Sequence, residues 1–337
     1  MAIRRYRFFR GEQAAQLRRL ELTVRGVVEG VFAGLHKSPH KGFSIEFAEH
    51  REYVAGDEIK HLDWTVLARS DRYYVKQYEQ ETNLRATICL DASGSMGFSG
   101  AGHQEAGKKV KAGRAVAAKG SAEAAILPPP TAAPGATPPP GTSKFEYAAV
   151  LAASLAFMLS NQQDLVGLTV FDSKITLEIP QGNGPSHLDQ IFQKLEEVKP
   201  GRETRIAGTL HHLANKIPRR GLVILISDLL DEPENILLAL QHLKHARHQM
   251  IVLQVLDRAE VELPYQRPVI FEDMENRERL QIDPKQIREE YRREMGEFLS
   301  TLQRRCGQFQ IDYVQAITDV PWDVQIREVL RRTGGRA

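Results

Sequence analysis

Disulfide chemistry has little to work with in this chain. Only two of its 337 residues are cysteine. Cys89 lies inside an apolar run and Cys306 inside a helical pattern, so the two thiols make no disulfide framework, and a reducing, cytoplasmic setting is the expectation. Long hydrophobic runs are also missing. The longest, about Ala148–Leu159, falls short of the roughly 20 apolar residues a helix needs to cross a bilayer. It reads as a core helix, and no membrane span is expected. The first residues, MAIRRYRFFRGEQ, are basic but carry no apolar stretch behind them, so no signal peptide is expected. Neither sign of charge dominates: 45 Lys and Arg against 43 Asp and Glu leave a formal +2. That balance makes nucleic acid the weakest partner class, because such binding rests on neutralising phosphates.

Catalytic signatures are absent as well. No G-x-S-x-G elbow occurs, and no histidine is placed by motif beside a serine, as a nucleophile would need. Next to Asp91, where a phosphatase would want a second carboxylate, stand Ala92 and Ser93. A near-match to a phosphate-binding loop, Gly102 to Gly107-Lys108, is followed by Lys109, where Ser or Thr should hold magnesium, and no strand feeds it. The expectation is a binding protein and not an enzyme. A magnesium-dependent phosphoryl or ester hydrolase is the alternative.

What the chain does have is concentrated in LRATICLDASGSMG, Leu84–Gly97. A mostly apolar run from Leu84 to Leu90 reads as a strand buried in a parallel sheet. It runs into Asp91, Ser93 and Ser95, one carboxylate and two hydroxyls at alternate positions, with Gly94 and Gly97 to allow a tight turn. Oxygen ligands suit a hard divalent cation, magnesium or manganese. Capping of a following helix is the ordinary alternative for such residues.

Asp91-x-Ser93-x-Ser95 resembles the first part of the metal-ion-dependent adhesion site of von Willebrand factor A domains. That motif also takes a threonine from a later loop and an aspartate after a later strand. Thr204 in GRETRIAGTL and Asp228 in GLVILISDLL match those places, which helix capping leaves unexplained. The resemblance implies that Ser93 and Ser95 bind the ion directly, Thr204 directly or through water, and Asp91 and Asp228 largely through water. One position would stay open for a carboxylate of a partner. A second resemblance runs through GFSIEF, Gly56-Asp57, Asp63-Trp64, Ala68-Arg69 and the DASGSM turn. It is to domain-of-unknown-function family 58, whose members place this segment before a von Willebrand A-like domain. They are often encoded near MoxR-type AAA+ ATPases. What this implies is an adaptor or assembly factor whose partner is such an ATPase or its protein client.

The remaining chain is read in the same terms. Glu12–Val31 carries apolar residues at helical spacing. The arginines at 4, 5, 7 and 10 beside Phe8 and Phe9 suit packing against the body, with a membrane surface as the lesser reading. Residues 1–82 read as a helix and a small β-rich lobe, with strands near Phe43–Phe47 and Tyr73–Tyr78 whose balanced charges pair among themselves. Residues 83–337 read as an α/β domain, a doubly wound, mostly parallel sheet of von Willebrand A-like type. Its strands are expected at Leu165–Phe171, Lys174–Ile179, Leu222–Ser227, Met250–Leu256 and Phe309–Gln315. Helices are expected at Phe145–Ser160, His187–Val198, Ile206–Lys216, Asn235–Ala246, Glu289–Arg304 and Trp322–Arg332. An Ala/Pro/Gly-rich insertion, 98–143, is expected to be disordered, and 257–283 reads as a β excursion. His242, His245 and His248 suggest a partly exposed helix face more than zinc. His211 and His212, being adjacent, point in different directions.

Overall fold

The computed structural model describes residues 6–9, most of 11–17, and 46–54, 62–70, 72–79, 84–100, 110–112, 141–201, 206–217, 221–245, 248–273 and 279–334. Its centre is a six-stranded sheet of β3 (Arg85–Asp91), β5 (Leu165–Phe171), β6 (Ile175–Gly182), β7 (Leu222–Ser227), β8 (Gln249–Leu256) and β11 (Asp312–Ile317). The strands lie in the order β11-β8-β7-β3-β5-β6. All neighbours are parallel except the β5–β6 pair at the edge. The α/β reading with a mostly parallel sheet therefore holds. Interior parallel strands are covered on both faces, which is why β3, β7 and β8 are buried almost throughout and read as unbroken apolar runs. The edge strand β6 alternates partly buried and exposed positions instead.

Side-chain alternation along β3 divides the core. Ala86, Ile88 and Leu90 face one layer, with α2 (Lys144–Asn161), α3 (Pro185–Glu197) and α8 (Trp322–Gly334). Cys89 faces the other, with α4 (Ile206–Lys216), α5 (Pro233–His245) and α7 (Pro284–Gln308). The helix α2 is apolar nearly all round and accordingly buried along almost its whole length. It starts in a capping box, in which Ser143 Oγ accepts from Glu146 N and the Glu146 carboxylate accepts from Ser143 N. Phe8 and Phe9 belong to the first layer: Phe8 meets Phe145 edge-on, and Phe9 packs on Phe157 and Phe192. Packing, and not a membrane surface, accounts for these two rings. Among the described residues no helix is long and apolar enough to cross a membrane.

The amino-terminal hairpin pairs β1 (Glu46–Glu52) with β2 (Tyr74–Glu79), and between them lies α1 (Trp64–Ser70). That helix was not legible as such. Its start signal is Asp63, whose Oδ1 accepts from Val66 N at 3.3 Å. Most of the expected helix 12–31 lies outside the described residues. Gln13–Ala15 and Leu17 are helical, with Leu17 buried. The excursion holds a five-residue helix, α6 (Arg258–Glu262), and a hairpin of β9 (Val269–Asp273) and β10 (Arg279–Ile282). Within the insertion, Val110–Ala112 forms a short strand, β4, parallel to β9. The near-match phosphate loop and residues 113–140 lie outside the described residues. The entry to the insertion and its exit meet, since Lys144 N donates to Phe98 O at 2.9 Å. Several boundaries differ from expectation, among them the end of β1 at Glu52, the end of β6 at Gly182 and the starts of α7 and β11. α7 begins at Pro284 and not Glu289, because Asp283 caps it and proline suits the first helical position. β11 starts at Asp312 and not Phe309, because α7 runs on to Gln308 and the chain then turns through Gln310 with φ 55°.

Candidate metal centre

The order of the strands decides where a site can lie. From β3 the chain goes to β5 and β6 on one side, then crosses back to β7 on the other. A crevice opens beyond the carboxyl ends of strands at such a reversal. Asp91 is the last residue of β3, and Asp228 follows the last residue of β7. The two carboxylates therefore meet where the backbone of an open α/β sheet leaves room for a ligand.

The local geometry is tight. Ser93 N donates to Asp91 Oδ1 at 2.8 Å, folding the turn back on its first residue. The Ser93 and Ser95 hydroxyls lie 3.0 Å apart. Ser227 Oγ donates to Asp91 Oδ2 at 2.6 Å, tying the end of β7 to the end of β3. The chain leaves β7 through Leu229 at φ 51°, a conformation L side chains rarely adopt. It is held there by Leu229 N donating to Ser227 Oγ at 3.1 Å. Gln254 Nε2 from β8 donates to the Asp228 carbonyl at 2.8 Å.

Thr204 lies outside the described residues. The loop that leads to it does approach the site, for Gly201 N donates to Ala92 O at 2.6 Å. A side chain at 201 would stand 2.9 Å from Asp172 Oδ2, so the Asp172 carboxylate would have to move aside to admit one. Asp91, Ser93, Ser95 and Asp228 are thus brought together, all four buried.

Three further residues belong to the same place. Lys144, the first residue of α2, is fully buried. Its Nζ donates to Asp228 Oδ2 and to Glu260 Oε1, both at 2.7 Å. Glu260 Oε2 in turn accepts from Asp257 N in the capping box of α6. Ser227 is the third. Sequence reasoning passed over all three. A lysine heading an apolar helix carries no mark of burial, and D-x-x-E at 257–260 marks only a helix start.

Burial, then the like charge of Asp228, pushes the Asp91 carboxyl up to about 7 against the hydrogen bonds from Ser227 and Ser93. Burial also pushes Glu260 up to about 7, with the Lys144 ammonium opposing and Asp228 adding to it. Lys144 is held above its ordinary value: burial acts to discharge it, and the two carboxylates outweigh that. Two carboxylates, Asp228 and Glu260, thus share one buried ammonium, and Asp91 stands close enough to feel the charge of Asp228.

Among the described residues no three His, Cys, Asp or Glu side chains form a group that could hold a metal. The candidate donor set is of another kind, two carboxylates and two adjacent hydroxyls. All its donors are oxygen and its negative charge is only partly offset, so the residues present fit a hard divalent cation.

The histidines sort differently from expectation. His248 is buried ahead of β8 and not on the α5 face. His211 of α4 does pair, with His242 of α5 and not with its neighbour, at 3.0 Å between the Nδ1 atoms. Asp231 and Glu232 take the ordinary role at a helix start, with Glu232 N donating to Asp231 Oδ1 and Asn235 Nδ2 to Glu232.

Fold and site together define an α/β protein with an acidic, hydroxyl-bearing crevice at the strand-order reversal of a mostly parallel sheet. The chain belongs to the family described as protein of unknown function DUF58, whose model matches residues 49–123 and 136–298. The match is interrupted only at 124–135. The family model thus matches most of the 98–143 insertion as well. Uncharacterized proteins of Mycobacterium bovis and Mycobacterium tuberculosis are 26% identical over 266 residues, covering 78% of this chain and 71% of theirs. Among solved structures, conserved hypothetical protein BatB from Bacteroides thetaiotaomicron is 15% identical over 75% of this chain and 100% of its own, with a TM-score of 0.40. An aerotolerance-related membrane protein from Bacteroides fragilis is 17% identical over 74% of this chain and 100% of its own, with a TM-score of 0.39.

Proposed function

We propose that the sheet is a von Willebrand A-like domain and that its crevice is a magnesium- or manganese-dependent adhesion site for an acidic side chain of a protein partner. The observation that carries this reading is the meeting of the Asp91–Ser95 turn with Asp228 at the strand-order reversal, with two hydroxyls 3.0 Å apart beside it. Ser93 and Ser95 would hold the ion directly. Thr204 would join them directly or through water, and Asp91 and Asp228 would act largely through water. The bound ion would supply positive charge to which a carboxylate from outside can bond. The contribution of the chain itself is to hold the turn shut through Ser93 N and Ser227 Oγ and to keep the crevice dry.

The partner proposed on family resemblance is a MoxR-type AAA+ ATPase or the client it remodels, with this protein as a cytoplasmic adaptor or assembly factor. A binding role is favoured over catalysis because the Ser93 hydroxyl lies against the Ser95 hydroxyl and the Asp91 carboxylate, a grouping of oxygen donors that suits a cation. The test is capture of the purified ATPase by immobilised full-length protein. Retention in magnesium, release by chelator and recovery on adding magnesium back are expected, with capture lost in Asp91→Ala and Asp228→Ala. Capture by both folded variants at the wild-type level contradicts the mechanism.

A further inference from the structure

The Lys144 ammonium is not part of the proposed ligand set, yet it is built into the site, fully buried and bonded to two carboxylates. Its backbone N donates to Phe98 O at 2.9 Å, three residues after Ser95. Its Nζ lies 5.9 Å from the centre of the Phe98 ring. The ammonium makes two 2.7 Å bonds, one to Asp228 and one to Glu260. Glu260 is itself fixed through Asp257, whose carboxylate accepts from Gly100 N at 3.0 Å, Ala259 N at 2.9 Å and Thr318 Oγ1 at 3.0 Å. A side chain at position 100 would come within 2.3 Å of Asp257 Oδ1, so the close approach of this loop to α6 depends on glycine. Phe98 just after the Asp91–Ser95 turn, the start of α2, the end of β7 and α6 are all joined through this one residue.

We infer that Lys144 is the resident counter-cation of the site and fixes the net charge that a divalent ion meets. It does three things. It takes Oδ2 of Asp228, whose Oδ1 accepts from Leu230 N at 3.3 Å, so that Asp228 acts on the ion at a distance. It holds Glu260 away from the ion's ligands. It also supplies one positive charge against the carboxylates of Asp91, Asp228 and Glu260, leaving a net −2 where there would otherwise be −3. Lys144 is in this sense a positioning residue and a limiter of affinity: the ion binds without becoming a permanent part of the fold, and partner capture stays reversible. This rests on the metal-dependent reading of the crevice and deepens it.

Removing an ordinary structural residue weakens metal binding. Removing a counter-cation strengthens it, because the vacated charge is one that a divalent ion can replace. The experiment is calorimetric titration of Mg2+ and Ca2+ into metal-free full-length protein. Lys144→Met replaces the ammonium by an unbranched neutral chain of similar length. It should bind Mg2+ about tenfold more tightly or better. Its affinity for Ca2+ should rise still further, since calcium accepts more oxygen ligands than magnesium. The variant should also melt lower than wild type in chelator and regain the difference in Mg2+. Lys144→Arg, which keeps the charge, should stay close to wild type. Glu260→Gln should bind Mg2+ several-fold more weakly, and it decides the matter should Lys144→Met not fold. Wild-type binding accompanied by unchanged or weaker binding in Lys144→Met, or by unchanged binding in Glu260→Gln, overturns the inference and leaves the metal reading standing. Absence of saturable binding in wild type and variants alike removes the metal reading itself.

Discussion

The two faces of α6 carry ion pairs of the same chemistry in opposite settings. Inward, Glu260 meets the fully buried Lys144 together with Asp228. Outward, Arg258 bonds Asp319, with Nη2 donating to Oδ1 at 3.0 Å, and Glu262, with Nη1 donating to Oε1 at 3.0 Å, on side chains that are about 40% exposed or more. The helix is five residues long, so sequence distance does not separate the two pairs; water does. On the wet face a broken pair is rehydrated at little cost. On the dry face the partner left behind has no solvent to turn to. The buried face therefore couples to whatever else can supply charge, and the exposed face does not.

Breaking each face in turn tests this contrast. The largest effect is expected from Lys144→Ala in metal-free buffer. It strands two buried carboxylates and should cost roughly 3–5 kcal/mol of unfolding free energy, read from urea denaturation. A loss no greater than that of an exposed pair would place water inside the crevice.

An intermediate effect is expected from pH. Asp91 and Glu260, ordinarily at 3.8 and 4.5, both stand at about 7 in the folded protein. Their folded forms keep protons that the unfolded chain releases. Their contribution is therefore present below the ordinary values and lost as pH rises through about 7. Urea midpoints measured in chelator should fall across that window in wild type relative to an Asp91→Asn, Glu260→Gln double variant. The opposite slope would contradict the burial assigned to these two carboxyls.

The smallest effect is expected on the outer face. Arg258→Ala should change stability by about 1 kcal/mol or less, and less still in high salt. A larger, salt-independent loss would erase the distinction between the faces.

Much of the sheet was legible because its interior strands are greasy on both sides. Leu165–Phe171 and Leu222–Ser227 stand where the pattern places them, and Ile206–Lys216 is the helix its spacing predicts. The β1–β2 lobe was harder. Its strands are short and charged, and α1 announces itself only by an aspartate before an aromatic residue. In the crevice, Asp91, Ser93 and Ser95 were legible as oxygen side chains on one turn after an apolar strand, and Asp228 through its resemblance to the adhesion-site aspartate. Lys144 and Glu260 were not, since their role comes from burial and burial is a property of the tertiary fold. The His211–His242 contact was hidden for a related reason: α4 and α5 meet only in three dimensions.

The most direct test of the central claim is calorimetric titration of magnesium into chelator-stripped protein, wild type beside Asp91→Asn. Saturable binding of one ion in wild type and its loss in a variant that stays folded is the result expected. No saturable binding in wild type, or equal binding in both, would show that these oxygens meet for some purpose other than holding a cation.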